Sequence, residues 1–206
     1  SPYCKKIIAW SAACRRTFIQ AFPNNKKIQN KIEILHFALP KPKFKKILHK
    51  NIRVLFVARW FDAKGGRQTL EVFSRLSKKY PKVEFIFICP TQKKFKEKYS
   101  KNKNIKIMDL VPQKELFSKF YPSADIFFYP GFGDSYGAAV PEALSYSLPV
   151  ITLNKFEKKE LVKDKRTGFL IDMPKKWMGY DTMDEKMIQD LVEKTSKLIE
   201  NKVLIK

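Results

Sequence analysis

The segment GFGDSYGAAVPEAL, residues 131–144, holds three of the chain's seven glycines within seven residues, with two carboxylates, Asp134 and Glu142. A turn needs one or two glycines. Three of them let a backbone take conformations closed to other residues and approach a ligand closely. Pro141 is tolerated only in a first helical turn, so a helix starts close to Val140. The amides of Ser135, Tyr136, Gly137 and Ala138 then lie near a helix N-terminus, where free N–H groups favour an anion. Asp134 falls in the loop and Glu142 in the first turn, both facing one mouth. Carboxylates do not bind phosphate, but they can accept hydrogen bonds from sugar hydroxyls. Either acid alone has an ordinary explanation, Glu142 as a complement to the helix dipole and Asp134 as a turn cap.

A second segment, VARWFDAKGG, carries Arg59 and, five residues on, Lys64 beside Gly65 and Gly66. Two cations flanking a glycine turn can neutralise a diphosphate. Were that diphosphate a leaving group, they would stabilise charge that grows in the transition state. Singly, each is one of 42 basic residues on a solvated surface.

The elements that must position these groups follow a regular order. IRVLFVA (52–58), VEFIFIC (83–89), IKIMDL (105–110), DIFFYP (125–130), PVITL (149–153) and TGFLI (167–171) are short apolar runs typical of buried strands. Between them lie RQTLEVFSRLSKKY, with Leu70, Phe73, Leu76 and Tyr80 at helical spacing, a basic helix over 91–100, KELFSKFY stopped by Pro122, PEALSYS and EKKELVK. A final amphipathic helix covers 182–200. Alternation at this pitch predicts an α/β fold with a doubly wound, Rossmann-like parallel sheet, whose ligands bind beyond the carboxyl ends of the strands. Ahead of it, a helix is expected near AACRRTFIQAF and a strand at KIEILHFAL (31–39), then a lysine- and proline-rich linker over 40–51.

The chain has 206 residues, 44% of them hydrophobic, with 17 Phe, enough for a folded core. No run approaches the length of a membrane span, and no signal peptide precedes the first helix-like segment. Cys4, Cys14 and Cys89 form no CxxC pair, which argues against a disulfide framework or zinc site and for a reducing compartment. The net charge of +22 invites a polyanion partner, yet only seven basic residues are Arg and the lysines are scattered along the chain. A solvated lysine surface is the simpler reading. His36 and His49 stand apart from ligand company, so structural or solvated roles are expected.

Taken together, VARWFDAKGG, ELFSKFYPSADIFFYP and GFGDSYGAAVPEALSYSLPVITL, in that order, resemble the C-terminal, donor-binding domain of retaining GT-B glycosyltransferases of family four, the glycosyl transferases group 1. The hallmark is two glutamates separated by seven residues, and Asp134 and Glu142 have that separation. KKELVKDKRTGFLI extends the match, so it covers about 52–172, and 7–39 is similar to the end of the N-terminal domain. The resemblance implies that Arg59 and Lys64 grip a nucleotide diphosphate, Glu142 holds the ribose diol, and Asp134 faces hydroxyls of the transferred sugar. Arg59, Lys64 and Asp134 are then the catalytic set. Gly133, Ser135, Tyr136 and Gly137 line the sugar and phosphate, Asp109 and Val111 lie beside the base, and Glu160 sits at the rim with no assigned task. The donor is UDP-, GDP- or ADP-linked; no cofactor and no metal is expected, there being no DxD motif.

Three departures from the family pattern stand out. Asp134 replaces the usual Glu, Ser147 replaces a helix-ending Gly, and Cys89-Pro90 replaces a common glycine. A left-handed Ser147 would cost about 1 kcal/mol. The expected organisation is 1–39 as the tail of an N-terminal domain, 40–51 as interdomain linker and 52–206 as the nucleotide-sugar-binding domain. The start at Ser1 and the end at LIENKVLIK read as a piece of a longer cytoplasmic protein whose acceptor domain lies elsewhere, possessing no transfer activity alone. The alternatives are a basic α/β module binding nucleic acid or an anionic membrane surface, with nucleic acid disfavoured, and a non-catalytic nucleotide-sugar binder.

Overall fold

The computed structural model describes residues 3–36, 38–39, 45–133, 136–174 and 179–201. The first unit runs β1 (Ile7–Ala9), α1 (Ala12–Ala21), α2 (Lys26–Gln29) and β2 (Ile32–Ile34), and β1 and β2 pair in parallel as a two-stranded sheet. The helix near AACRRTFIQAF is present. The strand expected over 31–39 covers only three residues, and β1 was not foreseen: Ile7 and Ile8 sit among lysines, without the alternation that marks a half-buried strand.

The second unit holds β3 (Arg53–Val57), α3 (Gly66–Lys79), β4 (Glu84–Ile88), α4 (Lys93–Tyr99), β5 (Ile105–Met108), α5 (Gln113–Glu115), a π-helical turn (Leu116–Phe120), α6 (Tyr121–Ser123), β6 (Ile126–Tyr129), α7 (Ala139–Ser145), β7 (Val150–Leu153), α8 (Lys158–Leu161), β8 (Gly168–Ile171) and α9 (Glu185–Glu200). The strands form one parallel six-stranded sheet in the order β5-β4-β3-β6-β7-β8. This is the doubly wound order in which two halves grow outward from a central pair, here β3 and β6. Right-handed crossovers put α3 on one face and α7 on the other. Strands buried on both faces explain the unbroken apolar runs: Val54, Leu55, Phe56, Phe85, Phe87, Ile88, Ile126, Phe127 and Phe128 are all fully buried.

On one face α3 packs against α9, where Leu70, Phe73 and Leu76 meet the sheet, and Phe73 lies 5.0 Å from Phe85 and 5.4 Å from Phe128 between ring centres. Arg75 joins the two helices through both carboxylate oxygens of Glu185, at 2.5 and 3.0 Å. Asp184 starts α9 by accepting from the Met187 amide at 2.8 Å.

Two local geometries answer sequence expectations. Ser147 does adopt the left-handed conformation, with φ 59°. It closes a Schellman motif at the end of α7: Leu148 N–H donates to Ala143 and Ser147 N–H to Leu144, at 3.1 and 2.9 Å. The helix expected to stop before Pro122 instead passes through it to Ser123, by way of the π-helical turn. Proline has no N–H to give the preceding turn, and Tyr121 N–H reaches back to Leu116, so the chain absorbs Pro122 by widening.

Candidate nucleotide-sugar cleft

Where the sheet order reverses, β3 and β6 lie side by side and their following loops diverge. After β3 the chain turns through Arg59 and Lys64 into α3, with Gly65 at φ 79°. After β6 it enters the glycine segment, with Gly131 at φ 60° and Gly137 at φ 62°. Gly133 is different: its φ is not positive, and its lack of a side chain leaves room for Tyr180, whose hydroxyl a methyl group would meet at 2.5 Å. The two loops are stitched together. Gly131 N–H donates to the Lys64 carbonyl at 3.2 Å, Gly133 N–H to the Ala63 carbonyl at 2.8 Å, and the Lys64 ammonium to the Gly133 carbonyl at 2.6 Å.

Beyond these strand ends opens a cleft of about 440 Å³. Arg59, Lys64, Val111, Tyr136, Gly137 and Glu142 all line it, with Val57 and Tyr129 from the strands themselves. The cationic pair and the helix acid thus share one cavity. Asp134 and Ser135 lie outside the described residues. Asp109 does not reach the cleft. Its exposed carboxylate accepts two 2.9 Å bonds from Lys96 of α4, and its neighbours Leu110 and Val111 form the wall instead. Phe132 is buried in the core, whereas Tyr129 is both buried and part of the wall.

Glu142 is held in place by a residue that sequence reasoning missed. The Tyr121 hydroxyl donates to Glu142 Oε2 at 2.8 Å. Burial raises the Glu142 pKa above the ordinary carboxylate value, and the Tyr121 hydrogen bond opposes that rise. Burial also pushes the Tyr121 phenol well up, so it stays a donor. Tyr121 stacks on Tyr146, whose hydroxyl donates to the Phe117 carbonyl at 2.7 Å. The π-helical turn therefore sits against α7 and presents Leu116 and Phe117 to the cleft. KELFSKFY reads as a plain helix ending at Pro122, and no local pattern other than that proline announces a π turn.

Two further wall residues come from unexpected places. Trp60 flanks Arg59, and Trp10 arrives from the first unit, its ring edge-on to Tyr136 at 5.7 Å and 77°. Glu160 is not a cleft residue; its carboxylate reaches the backbone of α1. Cys89, at the end of β4, is fully buried, and burial lifts its thiol to about 12, so it is chemically quiet. Among the described residues no three His, Cys, Asp or Glu side chains gather as metal ligands would, and no helix is long and apolar enough to cross a membrane.

A doubly wound parallel sheet with a cationic, carboxylate-bearing cleft at its switch point defines the Rossmann-like class of nucleotide-binding folds. The family of glycosyl transferases group 1 matches residues 40–203, and the chain belongs to that family. Its fold is that of GT-B glycosyltransferases. It superposes on a GtfA/B complex with a TM-score of 0.78 at 14% identity, covering 98% of this chain and 40% of that one. A mutant of TarM from S. aureus, in complex with fondaparinux, alpha-GlcNAc-glycerol and UDP, gives a TM-score of 0.76 at 17% identity, covering 98% and 38%. WaaG, a glycosyltransferase involved in lipopolysaccharide biosynthesis, gives 0.73 at 17% identity, covering 97% and 55%. The chain therefore spans about 38 to 55% of the length of these structures. No curated protein matches it in sequence.

Proposed function

We propose that this chain is the donor-binding domain of a retaining glycosyltransferase, taking a nucleoside-diphosphate sugar. The observation that carries the reading is the single cleft shared by Arg59, Lys64 and Glu142 at the β3/β6 reversal. Arg59 and Lys64 neutralise the diphosphate, and because that group leaves, they stabilise charge that grows as the glycosidic bond breaks. Glu142, ionised, accepts hydrogen bonds from the ribose diol, and the Tyr121 hydroxyl fixes its orientation. The wall at Leu110 and Val111 takes the base, and the glycine segment with Asp134 takes the sugar. The donor is held by side chains and amides without a resident metal or cofactor.

In this reading the acceptor belongs to a domain outside this sequence, and 1–39 is the tail of that domain, joined through 40–51. The protein works in the cytoplasm, and its net charge of +22 suits an acceptor held at an anionic membrane surface. Dependence of transfer on anionic vesicles tests that last point, and equal transfer to a water-soluble acceptor counts against it.

The decisive test of the main reading is a thermal-shift panel of UDP, GDP and ADP with their sugars. A ligand that binds only the folded chain raises its melting temperature. A rise that is lost in Arg59→Ala and Glu142→Ala supports the reading. Affinity only for polyanions, falling steeply with salt and indifferent to both substitutions, replaces it with the basic binding module.

A further inference from the structure

The two units meet at a contact that nucleotide binding does not explain. A helix leaves its first N–H groups without intrahelical partners. In α1 the Cys14 N–H is taken by the Ser11 hydroxyl at 2.9 Å, but the Ala12 and Ala13 N–H groups donate to Glu160, one to each carboxylate oxygen, both at 2.8 Å. Glu160 lies on α8 of the second unit, about 150 residues along the chain. Its side chain is only 20% exposed, and the Arg16 guanidinium stands 3.9 Å away.

A groove of about 400 Å³ runs between the helix, at Ala13, Thr17 and Phe18, and Phe156 and Glu157 of the second unit. The first unit has only a two-stranded sheet of its own, too little to hold an orientation unaided. Among the described residues its one member in the cleft, Trp10, immediately precedes the Ser11 that starts α1.

We propose that Glu160 is a positioning residue for the nucleotide-sugar cleft. Its carboxylate latches the start of α1 to the second unit and so holds Trp10 against Tyr136 as a wall over the ligand. The proposal rests on the donor-binding reading for the identity of the ligand, but not for the latch itself. The pairing needs two acceptor oxygens. Glu160→Gln turns one of them into an N–H₂ group facing a backbone N–H, which opens the latch while leaving the side-chain volume unchanged.

Three readings test it. Hydrogen exchange of the unmodified chain should find the Ala12 and Ala13 amides protected, although first-turn amides of a helix otherwise exchange quickly. Exchange at the rate of an open chain would overturn the latch, whatever the variants do. Fluorine NMR of the fluorotryptophan-labelled chain, with Trp10 assigned through Trp10→Phe, should show the Trp10 signal moving in Glu160→Gln; an unmoved signal overturns it. Calorimetry with a nucleoside-diphosphate sugar should show affinity falling about tenfold in Glu160→Gln, the size of one lost aromatic contact. Trp10→Ala should lose as much, and the double variant no more than either. Additive losses would mean that Glu160 does not act through Trp10, and would overturn the proposal. The first two readings need no ligand. If the unmodified chain bound no nucleotide sugar, the donor-binding reading would fall while the latch was still decided.

Discussion

The Lys64 ammonium donates to the Gly133 carbonyl oxygen at 2.6 Å, joining the turn after β3 to the loop after β6. A lysine drawn to a diphosphate is thus already at the mouth of the glycine segment, within the same cleft as Arg59 and Glu142. Lys64→Met keeps the apolar stem and removes the charge. It should weaken a nucleoside diphosphate by about 1.5–3 kcal/mol, the worth of a charged hydrogen bond, and the parent nucleoside hardly at all. Calorimetry on the pair reads the difference, and equal losses would place Lys64 away from the phosphates.

Glu142 sets a pH dependence whose sign is fixed by burial. Its native pKa is raised above the unfolded value, so between the two the native chain holds the extra proton and stability falls as pH rises. Below the unfolded pKa the penalty is absent. Glu142→Gln should therefore make the ligand-free chain more stable at neutral pH and flatten this slope in denaturant titrations. Nucleotide affinity should move the opposite way, rising in the parent chain as Glu142 ionises and staying low in the variant.

Tyr121→Phe removes the hydroxyl bonded to Glu142 Oε2 and leaves the ring stack with Tyr146 intact. Losing a donor to a charged acceptor should cost about 1–3 kcal/mol of nucleotide affinity. It should also move the pH midpoint of binding upward, since the Tyr121 bond is what opposes the burial shift. A midpoint that stays in place would show that Glu142 does not depend on Tyr121.

Ser147 occupies the left-handed position of the α7 cap with φ 59°. Ser147→Gly relieves a side chain there and should stabilise the chain by about 1 kcal/mol. The melting temperature should rise about 2–4 °C for a chain of this size. No gain would mean that the cap is strain-free as it stands.

Turnover divides the chain from the protein proposed to contain it. The 206-residue chain should bind nucleotide sugar weakly and transfer none of it, as measured by released nucleoside diphosphate over background hydrolysis. Transfer by the chain alone would show that no second domain is needed.

The second unit was legible because its strands are buried on both faces and read as plain apolar runs, 54–57 and Ile126–Tyr129 among them. The meeting of Arg59, Lys64 and Glu142 in one cleft was legible because proline and glycine fix where their loops turn. Asp109 was not, because its side chain turns away from the wall formed by the two residues after it and pairs with Lys96. Tyr121, Trp10 and the Glu160 latch depend on contacts between residues far apart in the chain, which no local pattern carries. The π-helical turn arises from a conflict between Pro122 and the helix around it, resolved only by packing on α7.

The central claim is one cavity in which positive side chains hold a pyrophosphate while a helix acid holds the ribose. Isothermal titration with UDP, GDP and ADP, repeated in Arg59→Ala and in Glu142→Ala, measures it most directly. The account predicts saturable binding of at least one nucleotide, weakened by each substitution, with the losses from the two ends of the ligand adding. Binding that survives both substitutions, or no saturable binding at all, would contradict it.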